Sequence, residues 1–120
     1  MCPTGPAAVA VEAYGAAPSA QPNGERPMLE RDIEAYLVRR VKEHGGKAYK
    51  FVSPTNRGVA DRLVVLPGGH VWFVEVKTEG GRVSPLQRVF ADEVKALGCN
   101  YAIVWSKENV DAFVQSASGV

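Results

Sequence analysis

The sequence predicts an α/β domain built on one small mixed sheet, with elements in the order α-β-β-β-α-β-α. Three observations predict it. Two stretches with the 3–4 apolar spacing of helices enclose a pair of strands joined by a Pro-Gly-Gly turn. A strand from residue 70 to 77 is apolar on both faces, which asks for a cover on each side. The chain has 120 residues, enough for one such layered domain.

Residues 1–27 carry prolines at 3, 6, 18, 22 and 27 among alanines and glycines, and read as a flexible leader. The domain is then expected to occupy residues 28–120. From Met28 to His44 apolar residues recur at 29, 33, 37, 38 and 41, an amphipathic helix that Gly45-Gly46 ends. Lys47 to Val52 alternates as a strand, with Ala48 and Val52 on one face and Tyr49 and Phe51 on the other. A polar loop from Ser53 to Ala60 leads into a hairpin, Asp61–Leu66 and His70–Lys77, turning through Pro67-Gly68-Gly69. Ser84 is placed to cap a second helix with Pro85 at its first position. Leu86, Val89, Phe90, Val94 and Leu97 are its expected buried stripe. Asn100 to Trp105 is a further buried strand, and Ser106 caps a final helix whose Val110, Phe113 and Val114 turn inward.

Composition excludes several classes. No apolar run approaches the ~20 residues of a membrane-spanning helix. Cys2 and Cys99 are the only cysteines, so neither a zinc site nor a disulfide framework is indicated, and a reducing cytoplasm is the expected location. The net charge of +1 hides an uneven distribution. Between Arg39 and Arg88 ten Lys/Arg face four acids, a local positive field suited to a polyanion.

Two of those four acids form the pattern that carries chemistry. Asp61 opens one hairpin strand, and the other ends Glu75-Val76-Lys77. Alternation puts Glu75 and Lys77 on the same face, about 7 Å apart along the strand, and the hairpin returns Asp61 beside them. Two carboxylates and an ammonium at a strand end suit a hard divalent cation and an activated water. Tyr49, Trp72 and Trp105 are expected in the core, and His44 and His70 on the surface without a role.

In this order and on these elements, Glu30/Glu34, Gly58-Val59-Ala60-Asp61, Glu75-Val76-Lys77 and Ser84-Pro85-Leu86-Gln87 resemble the PD-(D/E)XK nuclease superfamily, and within it the standalone phage and bacterial VRR-NUC domains. The resemblance spans roughly residues 28–115. One departure is Ala60, where the family usually has a proline before the aspartate; that residue shapes backbone and carries no chemistry. The resemblance implies a restriction-endonuclease-like core and a DNA endonuclease dependent on Mg²⁺ or Mn²⁺. It implies Asp61, Glu75 and the Val76 carbonyl as metal ligands and Lys77 as the residue that orients or deprotonates the attacking water. Gln87 would hold that water or the scissile phosphate, and Glu34 would act on the metal through water, with Glu30 in reserve. Lys50, Ser53, Arg57, Arg62 and Arg82 are the expected DNA contacts, neutralising phosphates without reading sequence. Branched DNA, a four-way junction or a flap, is the expected substrate, in repair or recombination, and a homodimer the expected assembly. No nucleotide cofactor and no membrane partner are expected. The alternatives are a DNA-binding module that keeps the fold without cleaving, and an accessory subunit whose carboxylates merely pair with arginines.

Overall fold

A computed structural model of the protein describes residues 29–118. Helix α1 runs Glu30–Glu43, strand β1 Lys47–Lys50, β2 Arg62–Leu66 and β3 His70–Val76. Helix α2 (Pro85–Ala96), strand β4 (Asn100–Val104) and helix α3 (Lys107–Ala117) complete the expected order. The sheet order is β1-β2-β3-β4, antiparallel except for the parallel β3–β4 pair. Parallel pairing requires a crossover, and α2 supplies it. The expected leader lies outside the described residues. No helix among those described is long and apolar enough to cross a membrane.

Alternation along β3 sorts the core into two layers. Trp72, Val74 and Val76 point to one face, where Ile33, Leu37 and Val41 of α1 and Val110, Phe113 and Val114 of α3 cover them. Trp72 meets Phe113 edge to face at 5.2 Å. The two helices are also tied by Asp111, which accepts hydrogen bonds from Tyr36 at 2.8 Å and from Arg40 at 2.9 Å. On the opposite face Phe73, Phe51, Tyr101 and Ile103 pack with Phe90, Ala91 and Val94 of α2.

Several expectations shift at this level. The β1 strand ends at Lys50, although the Phe51 N–H still donates to the Asp61 carbonyl at 3.0 Å, so the ladder continues one step further. Asp61 immediately precedes β2 rather than opening it. The α2 stripe is narrower than its apolar spacing suggests. Ala91 and Val94 are buried, while Leu86, Val89 and Leu97 are at least half exposed, because α2 rests mainly against β4. Trp72 and Trp105 are in the core as expected, but Tyr49 is not: its partial exposure is 49%. His44 is half-buried, its Nδ1 3.0 Å from the Arg40 carbonyl.

Candidate active site

The β2–β3 register sets Arg62 against Val74, which leaves Asp61 across from Glu75 one step further on. Asp61 is fixed there by its own side chain: Oδ2 accepts the Val76 N–H at 2.8 Å. Glu75 is only 2% exposed. Its Oε2 receives the Gln87 Nε2–H at 2.6 Å and lies 3.7 Å from Lys77 Nζ. Its Oε1 is buried without a hydrogen-bond partner.

Such an arrangement is electrostatically tense. Burial, and then the charge of Asp61, push the Glu75 carboxyl up to about 8, with Lys77 opposing. A carboxylate buried beside a second, partly exposed one is favoured in its charged form by a cation placed between them. Once Glu75 is deprotonated, its Oε1 offers a lone pair that no donor among the described residues takes. This donor set fits a hard divalent cation, which takes oxygen ligands; Mg²⁺ in particular uses one or two carboxylates and keeps several waters. Among the described residues no three His, Cys, Asp or Glu side chains converge as a metal cage, so the remaining ligands would be backbone carbonyl and water.

Helix α2 delivers Gln87 through its cap. The Ser84 side chain accepts from the Gln87 N–H at 3.1 Å, and Gln87 Oε1 accepts from the Ser84 N–H at 2.9 Å. With Oε1 spent on the cap, Nε2 is aimed at Glu75. The amide expected to hold water or phosphate therefore holds the carboxylate.

Helix α1 contributes from the other side. Glu34 is occupied: its Oε2 accepts from Arg62 Nε at 2.7 Å and lies 3.9 Å from Lys50 Nζ. Glu30, one turn earlier, faces the site. Partial burial and the charge of Asp61 raise its pKa, while Lys77 lowers it. The reserve residue is thus the one nearer the carboxylate pair. Arg62, expected on DNA, donates to Glu34 and to the Ala48 carbonyl at 3.1 Å. It follows Asp61 directly, so alternation turns it to the α1 face. Lys50, Arg57 and Arg82 are exposed, and Ser53 Oγ accepts the Asn56 N–H at 3.2 Å within its loop.

No family model matches the chain. A solved "VRR_NUC domain" structure superposes with a TM-score of 0.68 at 32% identity, over 72% of this chain and 94% of that one. The protein named "Putative nuclease p44" of Acyrthosiphon pisum secondary endosymbiont phage 1 is 45% identical over 83 residues, 69% of this chain and 89% of the relative. The chain belongs to the VRR-NUC nuclease family. Its sheet and helix order are accordingly those of the PD-(D/E)XK superfamily.

Within this VRR-NUC fold, the two helix N-termini meet at the C-terminal end of β3 from opposite faces of the sheet. That convergence explains why Glu30 and Gln87, far apart in sequence, border one carboxylate pair. The sequence carried the signal for Gln87 in its Ser-Pro-x-Gln cap. It carried none that separates Glu30 from Glu34, which share a helix face.

Proposed function

We propose that this VRR-NUC protein is a deoxyribonuclease that hydrolyses phosphodiester bonds with Mg²⁺ or Mn²⁺. The observation that carries the reading is the buried Glu75 with its unpartnered Oε1 beside Asp61. Asp61, Glu75 and the Val76 carbonyl would hold the cation, with Glu30 reaching it through water. When bound, such an ion supplies a water of lowered pKa and neutralises phosphate charge. Gln87 keeps Glu75 in the ligating rotamer. Lys77, 15% exposed and next to Glu75, orients the attacking water and offsets charge on the phosphate. Arg62 and Glu34 brace β2 against α1, and Lys50, Ser53, Arg57 and Arg82 contact the DNA backbone.

Branched DNA is the proposed substrate class. A domain of this size grips little duplex, and two copies would present two sites to a junction. Leu86, Val89 and Leu97, exposed on α2, are the apolar surface a second copy would cover. Cleavage of labelled four-way junction, 5′-flap and linear duplex DNA in Mg²⁺, Mn²⁺ and EDTA tests the reading. Metal-dependent cutting with branched substrates preferred is expected; binding of all three with no cutting would leave a DNA-binding module instead.

A further inference from the structure

Helix α2 leaves part of its side of the sheet open. Register places Lys47, Val65 and Val71 in one row across that face and Tyr49, Leu63 and Phe73 in the next. The following row is Phe51, Asp61 and Glu75, since the Phe51 N–H donates to the Asp61 carbonyl. Phe51, Phe73 and Phe90 close the face beside α2, with ring centroids 5.4–6.4 Å apart. Toward β1 the cover ends, and Tyr49 and Val71 are 49% and 38% exposed. Among the described aromatic residues Tyr49 alone is exposed; Trp72 and Trp105 are buried.

The surroundings of Tyr49 are cationic. Lys47 Nζ stands 4.9 Å from the ring centroid, which fixes the ring by a cation–π contact. Lys50, the register partner of Arg62, projects instead from the α1 face, where its Nζ lies 3.9 Å from Glu34 Oε2. A flat ring on an open face with an ammonium beside it matches a nucleotide, which offers a base to stack and a phosphate to neutralise. The position is also informative. Tyr49 lies one same-face step, about 7 Å, from the Asp61–Glu75 row, and two strand spacings, about 10 Å, from β3. It shares their face. A base seated there belongs to a nucleotide one or two removed from the reacting phosphate. Bases within a duplex are stacked and paired, so only an unpaired strand reaches the ring.

We infer that Tyr49 is a stacking platform for an unpaired base of the substrate strand, with Lys47 on its phosphate. The inference rests on the nuclease reading and deepens it: the enzyme selects DNA with a single-stranded arm. A Tyr49 ring that serves instead as contact between two copies of the chain is the competing occupant.

Fluorescence anisotropy of the full chain in EDTA, with a labelled oligothymidine and a blunt duplex of equal length, tests it. Tyr49→Ala should lower the single-strand to duplex affinity ratio about tenfold, and Tyr49→Phe should keep it within about twofold. Equal losses on both DNAs, no loss, or a Phe variant as weak as Ala would overturn the assignment. So would a shift from dimer to monomer in sedimentation with single-strand affinity unchanged. Because EDTA removes cleavage from the readout, a wild-type chain that binds but never cuts with metal sinks the nuclease reading separately.

Discussion

Burying Glu75 beside Asp61 makes the metal-free fold sensitive to pH. In the unfolded chain a glutamate releases its proton near its ordinary value of 4.5, whereas in the fold Glu75 keeps it to about 8. Between those values the folded state holds a proton that the unfolded state has lost, so this group's contribution falls as pH rises. The thermal midpoint in EDTA should therefore decline from pH 5.5 to 8.5 in the wild type, relative to Glu75→Gln. Parallel curves for the two proteins would contradict the tension assigned to this carboxyl. Adding Mg²⁺ or Mn²⁺ should raise the wild-type midpoint, more at pH 8 than at pH 6, because a carboxylate ligand must shed its proton to bind. Asp61→Asn should lose that gain. Gln87 acts on the same residue through one hydrogen bond. Gln87→Ala frees Glu75 Oε2 and should lower the cleavage rate about tenfold or more, with the greater loss in metal affinity if positioning is its role.

At the scale of elements, the N-terminus of α2 and the loop before β2 are one unit. Gly58 has a φ of +84°, and a Cβ there would meet the Leu86 backbone carbonyl carbon at 2.5 Å. Gly58→Ala should cost about 2 kcal/mol in denaturant unfolding and displace Gln87 along with the first turn of α2. Ser84→Ala should cost about 1 kcal/mol by removing the hydroxyl that accepts the Gln87 N–H, while the Ser84 N–H can still donate to Gln87 Oε1. On the other side of the sheet, Arg62 and Glu34 form a pair whose side chains are 19% and 20% exposed. Arg62→Ala leaves that carboxylate half-buried against α1 and should destabilise the fold, with less effect on salt-dependent DNA binding than Arg57→Ala or Arg82→Ala. Urea titrations beside DNA affinities at two ionic strengths separate the two roles.

Across the whole molecule, the element order, the hairpin and the clustering of Asp61, Glu75 and Lys77 were legible because each depends on local chemistry. Alternation placed Glu75 and Lys77 on one face, a Pro-Gly-Gly turn fixed the hairpin, and Ser84-Pro85 announced α2. The same alternation could have assigned Arg62 to the α1 face, since it is next to Asp61. Features that depend on how helices lie across the sheet were not legible. Glu30 and Glu34 share a stripe, and only the placement of α1 decides which turn reaches the end of β3. Leu97 fits the apolar period of α2, yet the helix rests mainly on β4 and leaves it outside. Tyr49 alternates like a core residue, and it is exposed because nothing described covers the β1 side of that face. If the α2 surface joins two copies, sedimentation should show twice the 12.9 kDa chain mass, and Val89→Glu should restore the monomer.

Cleavage of a labelled flap DNA by the wild type and Glu75→Gln, in Mg²⁺ and in EDTA, decides whether Asp61 and Glu75 form a metal-dependent site. The substitution keeps the shape of the side chain and an oxygen to accept the Gln87 hydrogen bond, so the protein should remain folded by circular dichroism. Cutting by the wild type only with Mg²⁺, and a loss of at least about a thousandfold in the folded variant, is the predicted result. Equal cutting in EDTA, or a Glu75→Gln protein as active as wild type, would contradict a metal-dependent site built on Asp61 and Glu75.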